Sequence, residues 1–265
     1  LTGSVLNPSS PSSLPPLVIA HGLFGSSANW RSLARQWSKH RQVLCVDARN
    51  HGSSPHAPTM SYEEQAEDLL ALLDAKHIDN AFLLGHSMGG KTAMHFALHH
   101  RERTTGIIIV DIAPAAYDDS DSHLPLIDAM ERLKPERFAE RGDADAALAA
   151  RVSDPRLRGF ILHNLVRKDG KLGWRINLEV IAASLPAVRG FPDQSGIPPY
   201  ARPSLFILGG TSTYVGAAQT PTIAPLFPSA RICTVPNAGH WVHAEQPNAV
   251  RDAVNEYLDD SVPAA

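Results

Sequence analysis

The chain has 265 residues, a length that suits one large α/β domain or two small ones. Its composition, 43% hydrophobic and 19% charged, is ordinary for a globular protein. A net charge of −3 and the lack of a basic run argue against nucleic acid as a main partner. No apolar stretch approaches the roughly 20 residues that a membrane-spanning helix needs, so the sequence predicts no membrane span.

The amino-terminal segment, residues 1–16, is rich in Ser and Pro and carries neither the basic region nor the apolar region of a signal peptide. The two cysteines, Cys45 and Cys233, both lie in predicted interior strands, which indicates reduced thiols rather than a disulfide framework. These features predict a cytoplasmic protein. The alternative is a mitochondrial location, if a targeting segment precedes Leu1.

Six short apolar runs predict β-strands. They are residues 17–20, 43–46, 81–84, 107–110, 205–208 and 232–235. Helical patterns alternate with them at residues 30–39, 61–76 and 91–100, and Ser61 with Glu64 predicts a capping box for the second helix. Nearly continuous apolar strands that alternate with helices predict a doubly wound, mostly parallel sheet covered on both faces.

The alternation stops between residues 114 and 203, where no strand pattern stands out. Four helices are predicted there, at residues 124–133, 144–152, 156–166 and 176–185. Because the segment leaves and re-enters the sheet at carboxyl strand ends, where sites of open sheets gather, we expect a helical cap over a site. The alternative is a second helical domain without a role there. The expected domains are an amino-terminal segment (1–16), a core (17–113 and 204–265) and a cap (114–203).

The most informative motif is Gly-His-Ser-Met-Gly at residues 85–89, between a predicted strand and a predicted helix. A serine on such a strand-to-helix turn has an exposed hydroxyl, and the flanking glycines leave room for its strained backbone. A serine hydroxyl needs a base to become a nucleophile. The motif therefore predicts a nucleophilic Ser87; the alternative is a simple glycine-rich turn.

Among 13 histidines, His240 has the best setting for the base, because it follows the last predicted strand on a loop at the carboxyl edge of the sheet. His243 is the second candidate. His86 is expected to point away from the Ser87 hydroxyl, and His51 is expected to brace loops near the site.

Stabilisation of an oxyanion requires backbone N–H groups aimed at the developing charge. One is expected from Met88, the residue after the nucleophile. The other is expected from the loop at residues 21–25, with Leu23 as the first choice and Phe24 as the second. The alternative for this loop is a tight turn that leads into the next helix.

The acid that orients the base is not in its usual place. The turn after the predicted strand 205–208 holds Ser212 where an aspartate is expected. Asp111, at the end of the neighbouring strand, is the nearest substitute, and its alternative role is to cap a loop. Glu179 and Asp193 are weaker candidates. If Asp111 is the acid, we expect Ser212 to donate a hydrogen bond to it or to the histidine.

Together these segments resemble the α/β-hydrolase superfamily from about residue 17 to residue 258. Several motifs look closer to one branch, the small intracellular esterases and acyl-CoA esterases, which include mitochondrial abhydrolase-domain proteins and related alcohol acetyltransferases. These motifs are His-Gly-Leu-Phe-Gly-Ser (21–26), Asp-Ala-Arg-Asn-His-Gly (47–52), Gly-His-Ser-Met-Gly-Gly-Lys (85–91), Val-Asp-Ile-Ala-Pro (110–114) and Gly-His-Trp-Val-His-Ala (239–244). The resemblance implies a helical cap inserted after the sixth strand. Because the chain before Leu17 is short, the first two strands of the fold are expected to be shortened or absent.

The same resemblance implies Ser87 as nucleophile, His240 as base and Asp111 as acid. It also implies ester or thioester substrates with short to medium acyl chains. The expected function is a serine carboxylesterase; the alternatives are an acyltransferase to alcohols and a ligand-binding, receptor-like hydrolase with slow turnover. No zinc-type spacing occurs, so we expect neither a metal nor an organic cofactor. Nothing in the sequence indicates an oligomeric state.

Overall fold

Apolar strands and amphipathic helices alternate around one large sheet in the computed structural model, which describes residues 1–117 and 123–261. Its strands are β1 (Thr2–Leu6), β2 (Leu17–Ala20), β3 (Val43–Asp47), β4 (Ala81–His86), β5 (Thr104–Val110), β6 (Leu165–Lys168), β7 (Lys171–Trp174), β8 (Ser204–Gly209) and β9 (Ala230–Val235). β6 pairs only with β7, and the other seven strands form one sheet in the order β1-β3-β2-β4-β5-β8-β9. The predicted doubly wound, mostly parallel sheet is thus confirmed.

Helices cover both faces of this sheet. They are α1 (Arg31–Trp37), α2 (Tyr62–Ala75), α3 (Met88–His99), α4 (His123–Leu133), α5 (Arg141–Ala149), α6 (Pro155–Leu162), α7 (Leu178–Arg189), α8 (Ile223–Leu226), α9 (Val242–Glu245) and α10 (Pro247–Asp260). None of the helices in the described ranges is both long and apolar enough to cross a membrane. The predicted capping box begins α2, since Ser61 and Glu64 bond each other's backbone N–H groups.

Each face of the sheet has its own apolar core. Leu73 of α2 and Phe96 of α3 pack on one face, and Trp37 of α1 and Val254 of α10 pack on the other. The strands between them are buried on nearly every residue, which explains why their sequences are continuous apolar runs. The sheet is therefore a rigid base from whose carboxyl edge the loops extend.

The amino-terminal segment contains a strand that the sequence did not predict. β1 pairs antiparallel with β3, from Thr2 opposite Asp47 to Leu6 opposite Val43. Its residues are mostly exposed because β1 lies at the edge of the sheet, so an apolar run was not needed. Among the described residues, β1 is the strand that precedes β2, and the insertion follows the fifth described strand where a sixth was expected.

The edge position of another strand corrects a second expectation. Cys233 lies in β9, which is the other edge strand and not an interior one, and its side chain is half-buried. Cys45 in β3 is buried, as expected for an interior strand, and both cysteines are free thiols. The apolar run at residues 232–235 predicted an interior strand, but Ile232 and Thr234 of this run are exposed in β9.

The described part of the insert, residues 114–117 and 123–203, is mainly helical but contains a hairpin where a helix was expected. The predicted helix 156–166 ends at Leu162, and β6 then pairs with β7. Asp169 and Gly170 form the turn with φ of 51° and 79°. An Asp-Gly pair with positive φ at both residues is typical of a two-residue hairpin, but the charged sequence around it obscures the signal.

The insert packs onto the sheet at the site of the Gly-His-Ser-Met-Gly motif. Leu126 of α4 and Ile181 of α7 belong to the same apolar cluster as Leu23 and Met88 of the core. A polar contact adds to this packing, because the buried side-chain amide of Asn164 donates to the carbonyl oxygen of Phe24 at 2.8 Å. The insert therefore lies against the loop and helix that carry the expected N–H donors.

Gly89 offers a direct test of how tightly α3 packs on β2. A Cβ atom at Gly89 would overlap the carbonyl group of Ala20, whereas one at Gly159, exposed in α6, would meet nothing within 4 Å. We expect Gly89→Ala to lower the free energy of unfolding by about 2 kcal/mol or more. Gly159→Ala is the control and should raise it by up to about 1 kcal/mol, because alanine favours the helix. Urea unfolding measures both, and equal effects would contradict the packing.

Candidate active site

Ser87 occupies the sharp turn between β4 and α3. Its φ of 52° is rare for a residue with a side chain, and such a conformation costs about 1–3 kcal/mol. The turn is maintained because the strand and the helix approach each other very closely: a Cβ at Gly85 would overlap the backbone of Gly89. The Ser87 N–H is satisfied by the carbonyl oxygen of Val110, at 3.1 Å. The half-buried serine side chain is thus presented at the carboxyl edge of the sheet.

Asp111 follows β5 and is completely buried, with a φ of 52°. Its Oδ1 accepts a hydrogen bond from the Gly209 N–H at 2.9 Å. Its Oδ2 accepts from Nδ1 of His240 at 2.8 Å and from the Ser212 hydroxyl through a short hydrogen bond. A buried carboxylate is costly unless donors surround it, and three donors do so here.

Ser212 lies in the turn after β8, where its hydroxyl has two defined partners. The backbone N–H of Tyr214 donates to Oγ at 3.2 Å, so the Ser212 proton is directed to Asp111.

The weaker acid candidates, Glu179 and Asp193, form no hydrogen bond with His240. Glu179 is exposed in the first turn of α7, and the Asp193 carboxylate accepts from the backbone and hydroxyl of Ser195.

His240 extends from the loop after β9, and 15% of its side chain is exposed. Because Nδ1 donates to Asp111, its Nε2 is the nitrogen left for proton exchange. The ring of Tyr214 stacks on the imidazole, with centroids 3.6 Å apart and planes 14° apart. His240 and Ser87 line the same cavity, whose volume is about 250 Å³.

Two other histidines, His86 and His243, lie near His240 but form no hydrogen bond with Asp111. Nε2 of His86 donates to the carbonyl oxygen of His240 at 2.9 Å, and this bond supports the loop. His243 stacks on Trp30 with centroids 4.2 Å apart. Burial lowers the pKa of His243 to about 3. The pKa of His86 lies well below its usual value, mainly because the ring is buried and secondly because His240 and His243 are close to it. Both rings are therefore neutral near pH 7.

The loop at residues 21–25 lies beside the beginning of α3. The Gly89 N–H donates to the carbonyl oxygen of His21 at 3.1 Å, which brings this loop next to Met88. The Phe24 N–H donates to Nε2 of His51 at 3.2 Å. Of the two expected donors in the loop, Phe24 is thus already engaged, and Leu23 remains the better choice for a substrate oxygen.

His21 and His51 brace this loop as neutral rings. Nδ1 of His21 donates to the carbonyl oxygen of Gly22 at 2.7 Å, and its Nε2 accepts from the Ala48 N–H at 3.1 Å. His51 likewise contacts Arg49 and Phe24. Each ring needs one nitrogen as donor and one as acceptor, so protonation would remove an acceptor. Burial, the largest cause in both cases, lowers the pKa of His21 and brings the pKa of His51 to about 3.

The cavity above Ser87 is bounded largely by apolar side chains. The insert contributes Leu126, Leu157 and Phe160, and the His240 loop contributes Trp241. Such walls suit uncharged organic groups, because binding would remove apolar surface from water on both partners.

Two residues in this region were not singled out from the sequence. Tyr214 contacts His240 only because the turn after β8 folds back, and nothing local in the sequence signals that. Lys91 is buried in α3 with 2% of its surface exposed. The sequence does contain a feature that indicates a role for Lys91: it follows the Gly-His-Ser-Met-Gly-Gly motif in the predicted helix, and a lysine on the apolar face of a helix is unusual.

Comparison with known proteins finds similarity over nearly the whole chain. Residues 15–247 match the family described as alpha/beta hydrolase fold. The chain is 44% identical over 251 residues to the sn-1-specific diacylglycerol lipase ABHD11 of Mus musculus, covering 92% of this chain and 81% of that protein. It is 38% identical over 245 residues to Esterase YbfF of Escherichia coli, covering 92% and 93%. The solved structure of a marine microorganism esterase superposes with a TM-score of 0.92 at 36% identity, covering 97% and 98%.

The bracing role of His51 predicts a pH-dependent stability. Its pKa is about 3 in the folded protein and 6.5 for an unperturbed histidine, so the unfolded chain binds the extra proton first as pH falls. The free energy of unfolding should therefore decrease below pH 6.5, by up to about 1.4 kcal/mol per pH unit for this one group.

The variant His51→Gln, which retains a donor and an acceptor, should reduce that slope by about the same amount. His40→Gln, at an exposed histidine, is the matched control and should leave the slope unchanged. Denaturant unfolding at a series of pH values measures it. An unchanged slope in His51→Gln would contradict a neutral, buried His51.

Proposed function

The chain belongs to the α/β-hydrolase family and is a hydrolase, and we propose that it is a serine carboxylesterase that cleaves short- to medium-chain acyl esters or thioesters through an acyl-enzyme. The observation that carries the proposal is the hydrogen bond from His240 to Asp111. His240 also lines the same cavity as Ser87, which lies on its strained turn. That set of groups is what nucleophilic acyl transfer requires.

In the first half of the reaction, Ser87 Oγ attacks the acyl carbonyl carbon while Nε2 of His240 takes the hydroxyl proton. The electron pair of the carbonyl moves onto its oxygen. The N–H groups of Leu23 and Met88 stabilise this oxyanion, and each such donor contributes about 10²- to 10³-fold in rate. Asp111 stabilises the imidazolium that forms.

The intermediate then collapses. The bond between the acyl carbon and the leaving oxygen or sulfur breaks, and His240 gives its proton to that leaving atom. Water next attacks the acyl carbon while His240 accepts its proton. The bond between the acyl carbon and Ser87 Oγ then breaks, His240 returns the proton to Oγ, and the carboxylic acid is released. Ser212 holds Asp111 in the orientation that faces His240 throughout.

The insert is proposed to act as a cap. Its apolar side chains Leu126 and Phe160 line the cavity that Ser87 shares, where a bound acyl or alcohol group would replace water. We propose a division of the chain into a cap (114–203), a core (17–113 and 204–265) and the segment 1–16, whose strand β1 joins the core sheet at its edge. Free thiols at Cys45 and Cys233 fit the expected reducing compartment, the cytoplasm or alternatively the mitochondrion.

Activity on p-nitrophenyl acetate and butyrate tests the proposed roles. Ser87→Ala and His240→Ala should each lower kcat by about 10⁴-fold or more, and Asp111→Asn by about 10⁴-fold, because these groups act as one unit. Ser212→Ala removes one hydrogen bond to a charged group and should cost roughly 10- to 100-fold. Ser32→Ala, at an exposed serine of α1, is the control and should keep full activity.

Full activity in Ser87→Ala would refute the proposed function. Normal activity in Asp111→Asn, together with inactive Glu179→Gln or Asp193→Asn, would refute only the choice of acid. The products formed in added ethanol separate the alternatives: the free acid indicates a hydrolase, and a dominant ethyl ester indicates an acyltransferase. A bound ester that is cleaved only about once per hour would indicate the receptor-like alternative, since enzymes typically turn over near 10 s⁻¹.

A further inference from the structure

The space around Ser87 has two parts of very different size. The larger part, called the chamber, has a volume of about 250 Å³ and is lined by His240, Trp241 and the insert residues Leu126, Leu157 and Phe160. The smaller part, called the slot, has a volume of about 30 Å³. Met88, Lys91, Ile112, Tyr117, Leu185 and Val188 line the slot. Ser87, Leu23, His123 and Tyr214 border both parts, so a substrate bonded to Ser87 could extend into each.

The position of His240 decides which half of the substrate enters which part. The leaving oxygen or sulfur must come within hydrogen-bond reach of Nε2 of His240, because that nitrogen supplies its proton. The described lining of the chamber includes His240, and the described lining of the slot does not. The leaving group therefore belongs in the chamber. The acyl chain departs from the other side of the carbonyl carbon, and the slot, whose described lining includes Ser87 and Met88 but not His240, is the part that remains for it.

The slot is small and apolar. One water molecule needs about 10–15 Å³ of such volume, so the slot holds the equivalent of about two waters. A methyl or ethyl group fits that space, and a longer chain would need its walls to move. Close-packed walls resist such movement, since extra methylene groups force side chains off their rotamers.

Hydrogen bonds from α2 and α3 to the end of α7 join residues that line the slot. The Lys91 amine donates to the carbonyl oxygens of Arg189 at 2.7 Å and Gly190 at 2.6 Å. The Tyr62 hydroxyl donates to the carbonyl oxygen of Val188, also at 2.6 Å. These carbonyls end α7, where backbone oxygens lack helical partners and attract positive charge. We call these contacts the clasp.

Aromatic rings support the same amine. Its nitrogen lies 4.6 Å from the ring centroid of Tyr117, a distance that allows a cation–π interaction. Burial lowers the pKa of Lys91 to about 7, but a neutral amine keeps two N–H donors, enough for the two short bonds. The clasp is therefore maintained in either protonation state.

We propose that the slot is the acyl subsite and that the clasp formed by Lys91 closes it, so that the protein acts on esters or thioesters of acetyl- and propionyl-sized acids whose leaving group occupies the chamber. This inference rests on the proposed esterase function and narrows its substrates. Lys91 is a positioning residue, since it acts on the acyl chain through the end of α7.

The test compares kcat/KM for p-nitrophenyl acetate, butyrate and octanoate. The wild type should prefer acetate over octanoate by at least about 10-fold, because one misplaced methylene in an apolar pocket costs about 10- to 200-fold. Leu185→Ala and Val188→Ala enlarge the slot and should raise the octanoate-to-acetate ratio about 10-fold or more. Leu126→Ala, at a leucine that lines the chamber, is the matched control. It should change the three rates in parallel.

The clasp is tested with Lys91→Met. Loss of the two Lys91 hydrogen bonds of the clasp should raise the octanoate-to-acetate ratio mainly by lowering KM for octanoate, whereas a merely destabilised protein would lose activity on all three esters alike. Lys91→Arg, which retains donors, should restore part of the acetate preference. Thermal melting shows whether each variant is folded, and Val188→Ala serves if Leu185→Ala does not fold.

Two results would overturn the inference. One is a wild type that prefers octanoate; the other is an acyl ratio that responds to Leu126→Ala but not to the slot variants, which would place the acyl chain in the chamber. In both cases the hydrolysis still depends on Ser87, and the proposed function stands. Absence of hydrolysis of every ester would instead refute the proposed function itself.

Discussion

The site depends on one buried charge, the carboxylate of Asp111. Its side chain is fully buried, and three donors of the protein surround it: the backbone of Gly209, the hydroxyl of Ser212 and the imidazole of His240. Gly209 ends β8, Ser212 lies in the turn after it, and His240 lies in the loop after β9. The carboxylate thereby fixes two loops at the carboxyl edge of the sheet, and the removal of any donor would leave part of a buried charge unsatisfied.

Neutral histidines support the loops of the site. His21 and His51 brace the loop that carries Leu23, and His86 supports the backbone of His240. Burial lowers the pKa of all three, so near pH 7 they provide hydrogen bonds without positive charge. Asp111 is consequently available to stabilise charge that develops on His240. The same buried rings make the folded protein sensitive to acid.

Much of this arrangement follows from sequence, because chain order and the carboxyl strand ends predict which loops meet. Because Ser212 stands where an aspartate is usual, the sequence predicts that Asp111 at the end of the neighbouring strand is the acid. The hairpin at Asp169 and Gly170 was missed because its strands are short and charged. The contacts of Tyr214 and Lys91 could not be predicted, since each depends on a distant segment that only tertiary packing brings close.

Covalent trapping tests the central claim most directly. A fluorophosphonate ester should modify the protein at one site, and mass spectrometry of the digest should locate the adduct on Ser87. Adduct formation should be lost in Ser87→Ala and strongly slowed in His240→Ala, because the hydroxyl needs its base. An adduct at another residue, or undiminished labelling in Ser87→Ala, would contradict the account.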